Sequence, residues 1–139
     1  MTAKGLLLLD THVWLWLING DQRISGSSHQ IDKSAKTGNV KISVISVWEI
    51  AMLESRGRVQ LPGGCRTWIM AAFHAPGVSL AELTPQIAME SVYLPRHVLS
   101  DPSDQMIVAT ACCLDATLVT ADKKILAYMK SINRPTIPV

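Results

Sequence analysis

The chain alternates between two kinds of segment. Short, unbroken apolar runs of strand length are followed by longer stretches of helical period. Leu6 to Leu9 is one run, Lys41 to Ile45 is a β-branched one, and Val78 to Leu80 and Thr117 to Val119 continue the series to a last short strand at Thr136 to Val139. Between them, helices are expected over 12–18, 27–37, 47–55, 66–74, 85–94, 103–114 and 122–130, with breaks at Asn19-Gly20, Gly38-Asn39, Gly57 to Gly64 and Pro76-Gly77. A short strand that is apolar on both faces must be covered on both faces. The pattern therefore predicts an α/β fold with a central, mostly parallel sheet and helices on either side. In such sheets ligands bind beyond the carboxyl ends of the strands.

Size and composition fit that expectation. At 139 residues, 48% apolar and 17% charged, the chain reads as a single domain over residues 1–139, too apolar to be disordered. No linker, repeat or low-complexity tract interrupts it, and no apolar run is long enough to span a bilayer. Met1 to Gly5 lead into only four leucines before Asp10, short of the apolar region of a signal peptide, so a cytoplasmic protein is expected. The three cysteines, Cys65, Cys112 and Cys113, make no metal or redox spacing and read as reduced thiols. A net charge of +2 says little about partners, since a carboxylate-rich site would hide a basic rim. One Phe and two Tyr argue against an aromatic platform for single strands, although four Trp are unusual in so short a chain.

The acids fall at equivalent places. Asp10 follows Leu6 to Leu9, and Asp122 follows Leu118-Val119-Thr120. Glu49 is placed in the first turn after the second strand, and Asp104 opens the helix that carries Met106, Ile107 and Ala109. Each has a bland explanation. Ser46-Val47-Trp48-Glu49 spells a capping box, Asp101-Pro102-Ser103-Asp104 has an N-cap acid and Pro at the first helical position, and Asp10 and Asp122 suit N-caps. Capping, however, accepts Ser, Thr or Asn as readily, and does not ask for a carboxylate each time. Clustered carboxylates repel, and a hard divalent cation offsets that repulsion.

Four stretches carry a family resemblance: Leu-Leu-Leu-Asp-Thr-His-Val-Trp-Leu at 7–15, Ile-Ser-Val-Trp-Glu-Ile-Ala at 45–51, Asp-Pro-Ser-Asp-Gln-Met-Ile-Val-Ala at 101–109 and Leu-Val-Thr-Ala-Asp at 118–122. In this order and spacing the sequence resembles the PIN domain, and within it the VapC toxins of type II toxin–antitoxin pairs. The resemblance covers nearly the whole chain and implies a three-layer α/β/α sandwich, dependence on Mg²⁺ or Mn²⁺, endoribonuclease activity and inhibition by a co-encoded antitoxin. The family's acids fall on Asp10, Glu49, Asp104 and Asp122.

Metal-assisted phosphodiester hydrolysis needs an activated water, charge stabilisation at phosphorus and a stabilised leaving oxygen. Asp10 and Asp104 are expected to be direct ligands, with Glu49 and Asp122 ligating or holding the ion's waters. Thr11 and Thr120 stand where they could orient the carboxylates, although local turn hydrogen bonds explain them equally well. Asp101 is read as a helix cap or an outer member of the cluster. The four histidines, His12, His29, His74 and His97, show no ligand spacing. No Gly-x-Ser-x-Gly turn or phosphate loop is present, and a receiver-type signalling domain would need an acidic pair where Thr11-His12 follows Asp10. A metal-dependent phosphatase or non-toxin nuclease, or an inactive interaction module, are the alternatives left. Trp14, Trp16, Trp48 and Trp68 are too many to hide in a chain this small, so some are expected at an interface with an antitoxin or with a second copy in a homodimer. Arg56, Arg58, Lys123 and Lys124 flank the acidic motifs and read as solvated surface or contacts to RNA phosphates.

Overall fold

Five strands form one sheet in the order β3-β2-β1-β4-β5, with β1 at Leu7–Leu9, β2 at Val40–Ser43, β3 at Val78–Ala81, β4 at Thr117–Thr120 and β5 at Thr136–Pro138. The computed structural model describes residues 5–139; Met1 to Lys4, on which the expectation about a leader partly rests, lie outside them. All four strand pairings are parallel, as the unbroken apolar runs require.

Residue alternation along the strands sends side chains to two separate cores. Leu7, Leu9, Val40, Ile42 and Val119 pack with Val13, Trp14, Ile31, Ile50 and Trp68, from helices α1 (Thr11–Ile18), α2 (Ser28–Lys36), α3 (Val44–Ser55) and α4 (Gly64–Phe73). Leu8, Ala81 and Leu118 point the other way, against Ile107, Val108, Ile125 and Met129. Those come from α6 (Pro102–Leu114) and α7 (Lys123–Ser131), with α5 (Pro85–Val92) packed on α6. The result is the expected α/β/α sandwich. No helix among the described residues is long and apolar enough to cross a membrane.

Helix starts follow local chemistry. Asp10, Thr84, Asp101 and Asp122 each cap the helix that follows by accepting a backbone N–H, and Pro85 and Pro102 take the first turn, where a missing N–H costs nothing. The helix after β2 departs from expectation. It begins at Val44 rather than Val47, because the Ser43 hydroxyl accepts from Ile45 N at 3.1 Å. Ser43, not Ser46, is the cap, so the capping box read at Ser46 to Glu49 does not exist. Glu49 accordingly sits in the second turn, not the first. A 3-10 turn at Gln22–Ile24, capped by Asp21, was not anticipated from the apolar pattern.

The strand order places a topological switch beside β1. The chain steps from β1 to β2 to β3 on one side, then returns to add β4 and β5 on the other. A crevice therefore opens beyond the carboxyl ends of β1 and β4. Asp10 leaves the end of β1, and Thr120, Ala121 and Asp122 leave the end of β4.

Candidate active site

Five of the chain's 11 acids, Asp10, Glu49, Asp101, Asp104 and Asp122, line one cavity of about 430 Å³ at that crevice. His12 and Trp16 complete its wall. So much charge of one sign on one concavity is costly, and capping explains only part of it. Asp10, Asp101 and Asp122 do cap helices, whereas Asp104 lies in the first turn of α6 without capping it and Glu49 lies in the second turn of α3.

Hydroxyl groups fix the buried end of the cluster. Thr11 donates its backbone N–H to Asp10 Oδ1 at 2.8 Å and its hydroxyl to Glu49 Oε1 at 2.6 Å. Ser46 Oγ lies 2.8 Å from Thr11 Oγ1. A hydroxyl has one proton, and Thr11 spends it on Glu49, so Ser46 is the donor in that pair. Across the cavity Thr120 donates to Asp10 Oδ2 at 2.7 Å and accepts from Asp122 N at 3.1 Å. Both oxygens of Asp10 are thus held, from α1 on one side and the end of β4 on the other. Asp122 Oδ1 accepts from Lys124 N and Ile125 N, and Asp101 Oδ1 accepts from Ser103 N and Oγ.

Burial and mutual repulsion raise the acids' affinity for protons. Burial lifts the Asp10 carboxyl above its ordinary value, against the hydrogen bonds from Thr120 and Thr11. Glu49 is lifted by burial and by the charge of Asp10, opposed by the Thr11 hydroxyl. Asp104 is pushed up to about 7, first by burial and then by the charges of Asp101, Asp10, Asp122 and Glu49, with no hydrogen bond opposing the shift. Three raised carboxyls share one cavity, and a positive charge placed among them would lower all three.

The sequence-derived set, Asp10, Glu49, Asp104 and Asp122, faces one cavity together with Asp101. Thr11 and Thr120 make direct contacts with these carboxylates rather than only local turn bonds. The donor set is oxygen throughout, which suits Mg²⁺ or Mn²⁺. Among the described residues, no group of three or more His, Cys, Asp or Glu side chains stands close enough to hold one ion as placed.

Ser46 was missed in the sequence. It is fully buried inside α3, one turn before Glu49, and its hydroxyl supports Thr11. The helical spacing of Ser46 and Glu49 was the available signal, but it reads equally well as a capping box. The tryptophans divide as the crowding predicted. Trp14 and Trp68 are buried, edge to face at 5.1 Å, Trp16 is half-buried, and Trp48 is 56% exposed.

Fold and cavity together define a class: parallel α/β/α domains with an acidic crevice at the topological switch point. The chain belongs to the PIN domain family, whose family model matches residues 7–130. It is 32% identical over 122 residues to Ribonuclease VapC22 of Mycobacterium tuberculosis (strain ATCC 25618 / H37Rv), covering 88% of this chain and 91% of that protein. Two solved structures share the fold at low identity. One is VapBC2 from Rickettsia felis bound to a DNA fragment from their promoter, with TM-score 0.71, 16% identity, and 96% of this chain and 98% of that one covered. The other is a toxin–antitoxin complex from Klebsiella pneumoniae, with TM-score 0.65, 20% identity, and 94% and 95% covered.

Proposed function

We propose that this protein is a divalent-metal-dependent endoribonuclease, the toxin of a toxin–antitoxin pair, acting in the cytoplasm as a single PIN-like domain over residues 1–139. The observation that supports it most is the cavity at the switch point, lined by five carboxylates. The kinship with a VapC ribonuclease supports RNA as the substrate.

Asp10 and Asp104 are the direct ligands in this reading, with Glu49 and Asp122 ligating or acting through water. When bound, Mg²⁺ or Mn²⁺ supplies an activated water and charge stabilisation at phosphorus. Everything else is the chain's own work. Thr11 and Thr120 fix both oxygens of Asp10, and Thr11 with Ser46 behind it fixes Glu49, so the carboxylates are oriented before substrate arrives. No hydrogen bond opposes the rise in proton affinity of the Asp104 carboxyl, which a bound cation would reverse. Asp101 caps α6 and adds negative charge at the rim.

The test is cleavage of RNA in Mg²⁺, in EDTA, and in EDTA followed by excess Mg²⁺ or Mn²⁺. Cleavage lost with EDTA and restored by the ion is expected. Cleavage indifferent to EDTA, or none in either ion, overturns the reading. The toxin role is tested by expressing the chain with and without the neighbouring small reading frame. Growth arrest relieved by co-expression is expected, as is a stable complex of the two products. A homodimer of the chain is expected on its own, by light scattering.

A further inference from the structure

Three cavities meet at Asp101. The acidic one shares Asp101, Asp104 and Asp122 with a neighbour of about 430 Å³ that reaches Lys123 and Lys124. On its other side it shares Glu49 and Asp101 with an apolar cavity of about 360 Å³, walled by Ile45, Trp48, Met52 and Met106. A groove of three adjoining cavities runs from two exposed lysines, past the carboxylates, to an indole that is 56% exposed.

We infer that this groove is the bed of a single-stranded RNA, with a phosphate held near Lys123 and Lys124 and the base on the far side of the scissile bond stacked on Trp48. The inference rests on the ribonuclease reading and adds to it the residues that hold the strand on either side of the carboxylates. The two ends of the groove match the two parts of a nucleotide. Lysine ammonium groups bind phosphate oxygens and carry no sequence information. An indole offers a flat face to any unpaired base, and Met52, Met106 and Ile45 line an apolar slot beside it. A base inside a duplex is already stacked on both faces and cannot enter. The carboxylates lie between the two ends, at the phosphate that joins a Lys-held nucleotide to a Trp-held one. The shortage of Phe and Tyr argued against an aromatic platform; here one indole, on the helix that carries Glu49, performs the task for a single nucleotide.

The test measures binding and turnover separately. Binding uses a short fluorescein-labelled single strand of mixed sequence, read by anisotropy with Ca²⁺ in place of Mg²⁺, against a duplex of the same sequence. Trp48→Ala is expected to weaken single-strand binding by roughly 10-fold or more, and Trp48→Phe to stay within about 3-fold of wild type. The duplex is expected to bind more weakly and to ignore both changes. In Mg²⁺ turnover, Trp48→Ala is expected to raise KM by a similar factor with kcat largely kept. Replacing Lys123 and Lys124 with Gln is expected to flatten the salt dependence of single-strand binding. Single-strand binding unchanged by Trp48→Ala overturns the inference, and so does a Trp48→Ala effect confined to dimer assembly or to antitoxin affinity. If wild type cleaves RNA but Trp48→Ala keeps its KM, this inference fails alone. If wild type binds the strand through Trp48 yet cleaves nothing, the ribonuclease reading fails and the groove stands.

Discussion

Thr11 restrains two carboxylates at once, one through its N–H and one through its hydroxyl. Thr11→Val keeps the N–H and shape but frees Glu49, and it leaves the buried Ser46 hydroxyl without its acceptor. Cleavage is expected to fall about 10- to 100-fold, with a stability loss of about 1–3 kcal/mol. Initial rates and a urea titration check both, and Thr11→Ser should restore most of the rate. Asp104 carries a second prediction. Its folded pKa is raised to about 7, so between its ordinary value and about 7 the folded chain holds more protons than the unfolded one. Stability without metal should therefore fall as pH rises from mildly acidic through neutral, and should level off above it. Asp10 and Glu49, raised in the same direction, add to the slope. Added Mn²⁺ should recover the loss by mass action, and Asp104→Asn should flatten the pH profile of Tm. The carboxylates were legible in the sequence because caps do not demand Asp each time. Ser46 was not, because a Ser three residues before a Glu looks the same whether it starts a helix or lies inside one.

At the scale of elements, one close approach fixes how α2 meets β3. Gly77 lies just before β3 at φ +80°, and a Cβ there would sit 1.7 Å from the carbonyl oxygen of Ala35, at the end of α2. Both obstacles are backbone, so nothing can rotate away. Gly77→Ala is expected to destabilise by about 2–3 kcal/mol or more, against about 1 kcal/mol for Gly38→Ala, which shares the positive φ but meets nothing within 4 Å. Denaturant midpoints of the two variants check the difference, and neither should lose cleavage at temperatures where it stays folded. The helices and strands themselves were legible because burial on both faces writes unbroken apolar runs such as Leu7 to Leu9 and Leu118 to Val119. The start of α3 was not, since Ser43 and Ser46 are equally good caps and only the end of β2 decides between them. The turn at Gln22–Ile24 escaped because three residues are too few to show a period. Pairing order was also beyond reach. Nothing in the strands states that β4 returns to β1, yet that return is what turns four scattered acids into one cavity.

For the whole molecule, a sheet with its switch point at β1 gathers Asp10, Glu49, Asp101, Asp104 and Asp122, and two adjoining cavities extend the acidic one towards lysines on one side and an indole on the other. The central claim is that this crevice holds a divalent cation. Calorimetric titration of Mn²⁺ at neutral pH, in two buffers of different ionisation enthalpy, addresses it directly. The account predicts saturable binding to the wild-type chain with release of protons, because Asp104, pushed up to about 7, is partly protonated there and must ionise to ligate. Asp104→Asn should weaken that binding about 10-fold or more and release fewer protons, while Asp32→Asn, on the exposed face of α2, should change neither. Equal Mn²⁺ affinity and equal proton release in wild type and a folded Asp104→Asn protein would contradict it.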